Sequence, residues 1–183
     1  MDSFGDEGTI TTGNVLIACV DVDYRSFGAV AAGLWFRGWQ SSAVEHRALA
    51  SFSTVAEYEP GAFFRRELPC LLDVLARGPQ ADVIVVDGYV WLGGGAAGLG
   101  AHLYAAIGRA VVGVAKTRFA SATDAVPVCR GGSRRPLFVS AVGMAVEVAA
   151  KSVVAMHGPH RIPTLLKLVD SVCRSAFPDA GQG

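Results

Sequence analysis

Apolar positions along this chain follow two rhythms, and the changes between them mark out its elements. Leu16 to Tyr24, Gly28 to Trp39 and Ser42 to Phe52 are short runs rich in Val, Ala and aromatic residues, joined by Gly- or Ser-containing turns. They predict a three-stranded antiparallel meander. At Pro60 and Gly61 the period changes: Phe63, Leu68, Leu71, Leu72, Val74 and Leu75 recur at helical spacing until Arg77 and Gly78 stop the pattern. Asp82 to Val86 is then a continuous apolar run, suited to a strand buried on both faces. A helix over Leu99 to Ile107, strands over Ala110 to Ala115 and Leu137 to Val142, a helix from Val146 to Met156 and a last helix after Pro163 complete the order. Three antiparallel strands followed by βαβ alternation predict an α/β fold, α+β in having a mixed sheet, with the first strand beside the fourth.

The 183 residues contain no Pro/Ser-rich or charged linker, so a single domain over 1–183 is expected, with flexible ends at 1–13 and 178–183. With 51% hydrophobic and 17% charged residues the chain should fold. It has neither a basic start leading into an apolar run nor a membrane-length apolar stretch. A cytoplasmic protein, monomeric and without membrane attachment, is the expectation. Cys19, Cys70, Cys129 and Cys173 are scattered and read as reduced thiols, Cys19 in the core. A formal net charge of zero argues against a protein that coats polyanions without specificity. Local basic groups remain, at Arg65 and Arg66 and at Arg130, Arg134 and Arg135, where solvated surface is the competing reading.

Four carboxylates stand where elements begin or end: Asp21, Glu67, Asp87 and Asp170. Singly, each is explained as a turn or cap residue. If the first and fourth strands are neighbours, Asp21 and Asp87 come together, with Glu67 supplied by the intervening helix and Asp170 by the last one. Hard oxygen ligands of this kind suit Mg²⁺ or Mn²⁺ better than zinc. Other chemistries find less support. Gly93 to Gly98 match G-x-G-x-x-G, but no acidic residue lies between Tyr89 and Thr123 to meet a ribose. His46, His102, His157 and His160 lack ligand spacing, and His102 reads as a core histidine. Ser140 has no nucleophile-elbow context.

Five segments, in order, carry a resemblance: VDVDY around Asp21, EYEPGAFFRRELP ending past Glu67, VVDGY around Asp87, GLGAHLYAAIGRAVVGVAKTRF containing Lys116, and RIPTLLKLVD ending at Asp170. Together they resemble the endonuclease V (deoxyinosine 3′-endonuclease) family from about Val15 to Arg174. The resemblance implies a ribonuclease H-like fold and a catalytic set of Asp21, Glu67, Asp87, Lys116 and Asp170. The four carboxylates would serve as metal ligands and Lys116 would reach the scissile phosphate. It implies nucleic-acid contacts at Tyr58, Pro60 and Gly61, the strand-separating wedge, and at Arg66, Gly88 and Tyr89. The implied reaction is metal-dependent hydrolysis of a phosphodiester 3′ to inosine or deoxyinosine in DNA or RNA, with Mg²⁺ or Mn²⁺. Where the family continues from Asp-Gly into a polar, basic loop, this chain has Tyr89-Val90-Trp91-Leu92 and three glycines. An exposed apolar patch there would suit the alternative, a catalytically weak or inactive relative that binds nucleic acid or a protein.

Overall fold

The computed structural model describes residues 14–25, 28–54 and 63–176. Seven strands and four helices follow in the order β1 (Leu16–Arg25), β2 (Gly28–Arg37), β3 (His46–Phe52), α1 (Phe63–Ala76), β4 (Val83–Asp87), α2 (Leu99–Ile107), β5 (Ala110–Ala115), β6 (Val126–Val128), β7 (Leu137–Val142), α3 (Val146–Ala155) and α4 (Thr164–Ser175). Every element expected from the pattern is present. β3 starts at His46 rather than Ser42, and β6 adds a three-residue strand that is too short to carry a period. Its central Pro127 is accommodated because β6 is an edge strand.

One mixed sheet runs β3-β2-β1-β4-β5-β7-β6. β1 pairs antiparallel with β2 and parallel with β4, β4 is parallel to β5, and β7 returns antiparallel to β5. This is the sheet of a ribonuclease H-like fold, with β1 beside β4 as expected.

Alternation along the strands sorts side chains to two faces. Ile17, Cys19, Val83, Val85, Val112 and Val114 face a core closed by Ala149, Val153, Leu165, Val169 and Cys173 of α3 and α4. Ala18, Val20, Ile84, Val86 and Val111 face the other core, closed by Cys70, Leu71 and Val74 of α1 and by Ala101 and Leu103 of α2. The parallel centre of the sheet is therefore covered on both sides, which explains its uninterrupted apolar runs. All four cysteines are free, and Cys19 is fully buried. Among the described residues no helix is long and apolar enough to cross a membrane.

Candidate active site at the ends of the parallel strands

Strand register places the first two carboxylates. The last paired couple of β1 and β4 is Val20 with Val86, so Asp21 and Asp87 each stand one residue further along adjacent parallel strands. They share the parity of Cys19 and Val85 and so lie on the α3/α4 face. Lys116, two residues beyond Val114 at the exit of β5, shares that face, and α4 brings Asp170 across it. Asp21, Asp87, Lys116 and Asp170 line one cavity whose apolar wall includes Val20, Val86, Val114 and Val169. Lys116 Nζ donates to Asp87 Oδ2 at 2.6 Å, Val22 N–H donates to Asp21 Oδ1 at 2.9 Å, and Arg174 pairs with Asp170 at 3.1 Å.

Glu67 arrives from the opposite layer. It belongs to α1, is only 7% exposed, and lines a second cavity together with Asp87, Gly88, Tyr89 and Phe64. Its Oε2 is buried without a hydrogen-bond partner. A buried carboxylate oxygen left this way costs free energy unless the group is protonated or meets a cation.

The charges respond to one another. Burial, with repulsion from Asp87 and Asp170, pushes Asp21 up to about 7, against the opposing Val22 hydrogen bond and Lys116 charge. Burial, then Asp21 and Asp87, pushes Glu67 up to about 8 despite neighbouring Arg66. Burial alone would lower Lys116, but its hydrogen bond to Asp87 and the charges of Asp87, Asp170 and Asp21 outweigh that and raise it. One ammonium thus stands among Asp21, Asp87 and Asp170, while Glu67 senses Asp21 and Asp87 from the other layer.

No group of three or more His, Cys, Asp or Glu side chains among the described residues is already gathered tightly enough to hold a metal ion. The residues nonetheless fit a hard divalent cation. The donors are all carboxylate oxygens, two of them carry raised proton affinities caused by burial and mutual repulsion, and one has an orphaned oxygen. A cation would relieve each of these.

The segment after Asp87, where the sequence suggested exposed apolar residues, is pinned by specific contacts. Val90 is fully buried, and its N–H donates to Ser140 Oγ at 2.9 Å. Gly113, the register partner of Ser140, makes room for this: a Cβ there would lie 2.5 Å from the Gly88 carbonyl oxygen and 2.8 Å from Ser140 Oγ. Beyond Val90 the chain forms a small hairpin, with Trp91 bridged to Ala97 and Leu92 N–H donating to Ala96 O at 2.9 Å. Gly93, Gly94 and Gly95 take φ of 96°, 59° and 79° at its tip, which is the conformational reason for glycine there. The Tyr89 hydroxyl donates to Thr117 O at 2.7 Å and accepts Phe119 N–H at 3.0 Å, tying the loop to the segment after β5. Val90 is thus in the core, while Tyr89, Trp91 and Leu92 are half-buried.

Other expectations also shift. Arg130 is not a solvated loop cation: it is 6% exposed and donates to the carbonyls of Val154, Met156, Gly158, His160 and Arg161. Neither Arg130 nor Ser140 was singled out for this role by sequence, because both act through partners more than 20 residues away. His102 stacks on Phe64, ring centroids 3.6 Å apart, rather than meeting an acid or a ligand group. Arg66 lies over the Tyr24 ring at 3.9 Å, at the end of β1. The wedge residues Tyr58, Pro60 and Gly61 fall outside the described residues, as do both chain ends.

The family model described as Endonuclease V matches residues 6–155. No curated protein sequence matches. Among solved structures, endonuclease V from Streptomyces avermitilis is similar at 27% identity with a TM-score of 0.76, over 90% of this chain and 82% of that one. The catalytic domain of human endonuclease V is similar at 25% identity and a TM-score of 0.75, over 90% and 82%. Endonuclease V of Ciona intestinalis, crystallised with a 23mer DNA containing an inosine followed by a ribo-adenosine, shares the fold at 17% identity and a TM-score of 0.74, over 87% and 84%.

Proposed function

This chain belongs to the endonuclease V family, and we propose that it is a metal-dependent endonuclease hydrolysing the phosphodiester 3′ to a deaminated base, inosine or deoxyinosine, in DNA or RNA. The observation that carries the reading is the convergence of Asp21, Asp87, Asp170 and Lys116 on one cavity, with Glu67 electrostatically coupled to it from the other layer. Asp21 and Asp87, with Glu67 and Asp170, would hold Mg²⁺ or Mn²⁺. When bound, such an ion supplies Lewis-acid stabilisation of the phosphoryl oxygens and lowers the pKa of water.

The remaining work falls to the chain's own groups. Lys116, hydrogen-bonded to Asp87, would donate to a phosphate oxygen and stabilise the charge that develops there. The apolar wall of Val20, Val86, Val114 and Val169 excludes water from one side of the cavity, which strengthens each of these interactions. The second cavity, lined by Phe64, Gly88, Tyr89, Leu92, Gly98 and Leu99, would seat an extruded base. Gly88 and Tyr89 would touch that base, Arg66 the strand beside it, and Tyr58, Pro60 and Gly61 would part the strands. On this reading the protein is a single-domain, monomeric, cytoplasmic repair nuclease. The test is cleavage of inosine-containing single- and double-stranded DNA and RNA with Mg²⁺ or Mn²⁺, with Asp87→Ala as control. Absence of metal-dependent cutting on all four substrates would refute it.

A further inference from the structure

Beside the carboxylate cavity runs a cleft whose positive charge the proposed chemistry leaves unused. It shares Lys116, Ile162, Leu166 and Asp170 with that cavity and continues past them along His160, Arg161 and Lys167. Two of the charges at the shared end are already matched: Lys116 is paired with Asp87 and Asp170 with Arg174. The Arg161 guanidinium is engaged by the carbonyls of Lys116, Arg135 and Pro136. Lys167 and His160 are exposed, and among the described residues Lys167 has no acidic partner and the His160 ring no hydrogen bond.

The wall that presents these two groups is fixed from beneath. Arg130 gathers the carbonyls of residues 154 to 161 around one buried guanidinium. His157 and Thr164 close the same segment on α4 through Thr164 N–H to His157 O at 2.9 Å and a 3.1 Å side-chain contact. Arg161 ties it to the backbone of Lys116 itself. A preorganised segment holds its donors in place at little entropic cost on binding. Because the cleft opens directly from the cavity at Lys116, its ligand should carry a second anionic group in covalent series with the first.

We infer that this cleft seats the phosphodiester adjacent to the scissile one on the same nucleic-acid strand, with Lys167 as its main charge and His160 as a second donor. The inference rests on the nuclease reading above and extends it to how the strand is positioned. The test is fluorescence-anisotropy binding of inosine-containing single-stranded DNA by the full chain in EDTA, between 50 and 200 mM salt. Lys167→Gln should lower the slope of log affinity against log salt by about 0.7, the value for one phosphate contact on a single strand. Lys167→Arg should keep the wild-type slope, as should Lys151→Gln on α3. A neutral methylphosphonate at the adjacent linkage should weaken the wild type several-fold and Lys167→Gln clearly less. An unchanged slope in Lys167→Gln, equal methylphosphonate effects in both proteins at every linkage, or no binding by the wild type would each overturn the inference. A wild type that shows the expected pattern yet cuts nothing with Mg²⁺ or Mn²⁺ would support the cleft and refute the nuclease reading.

Discussion

Replacing Asp21 by Asn should make the metal-free protein more stable, by an amount that depends on pH. Burial is the main reason that Asp21 is pushed up to about 7, with Asp87 and Asp170 adding to it; an unperturbed Asp titrates near 4. A carboxylate raised in this way binds its proton more tightly folded than unfolded. Its contribution to stability is therefore fully present below about pH 4 and is lost as pH rises toward 7. A displacement of roughly 3 pH units at about 1.4 kcal/mol each sets a ceiling near 4 kcal/mol, and relaxation around a cavity-lining group reduces it to about 2 to 4. For a chain of this size each kcal/mol moves Tm by about 2–4 °C. Asp21→Asn should thus melt about 4–16 °C above the wild type at pH 8 in EDTA, and much closer to it at pH 4.5. The substitution is clean because an Asn oxygen can still accept the Val22 N–H. Added Mn²⁺ should raise the wild-type Tm and leave the variant nearly unmoved, since only a state that binds the ion gains from it. Calorimetric melts across this pH range decide the matter. A variant that is no more stable at pH 8, or one whose advantage is the same at pH 4.5, would refute the reasoning.

Lys116→Ala should lower the cleavage rate by roughly two or more orders of magnitude. Its melting point should hardly change, because the ion pair with Asp87 is 46% and 43% exposed and such pairs contribute little to stability; a wild-type rate would remove Lys116 from the mechanism. Ser140→Ala leaves the Val90 N–H buried and unpaired, a cost of about 1–3 kcal/mol, so thermal melts should fall by several degrees, and an unchanged Tm would show that the bond does not hold the loop. Gly93→Ala should disrupt the hairpin more than Gly94→Ala. The first would put a Cβ 1.7 Å from the Ser121 carbonyl oxygen, whereas the second meets nothing within 4 Å and carries only the strain of positive φ, about 1 kcal/mol. Equal melting points for the two would exclude that contact as the constraint.

The elements that place the carboxylates were legible because each is announced locally. Val83 to Val86 is apolar at every position and so demands burial on both faces, and a strand of that kind in third-to-fourth order has few neighbours open to it other than β1. Once β1 and β4 adjoin, side-chain alternation alone carries Asp21 and Asp87 to one face. The loop after Asp87 was not legible for the opposite reason. Its three glycines read as freedom from local sequence, but the conformation is set by Ser140, Thr117 and Ser121, residues 20 to 50 positions away that accept its hydrogen bonds or meet its backbone. A signal was available in hindsight: Gly113 and Ser140 are small residues within otherwise Val-rich strands, and paired small residues mark a place where another backbone comes close. Arg130 followed the same logic. An arginine beside two glycines looks like exposed loop, and only the carbonyls presented by residues 154 to 161 turn it inward.

Glu67 shows why the site cannot be read from one layer alone. Asp21, Asp87 and Lys116 share the α3/α4 face by parity, whereas α1 packs Cys70, Leu71 and Val74 against the other face. Glu67 can reach the cluster only past the end of β4, where the pairing of β1 with β4 stops after Val20 and Val86 and the two layers meet. That route leaves it buried, next to the repelling charges of Asp21 and Asp87, and with one oxygen unsatisfied. The strain is expected of a group shaped for a partner outside the chain: folding alone gives no reason to bury an acid there, and an apolar residue at position 67 would extend the α1 core at lower cost. The position of α1 along the sheet therefore sets how far Glu67 projects into the site. Arg66 stacked over Tyr24 at the end of β1 fixes that position one residue away from Glu67, so its loss should loosen the acid's placement before it affects the sheet.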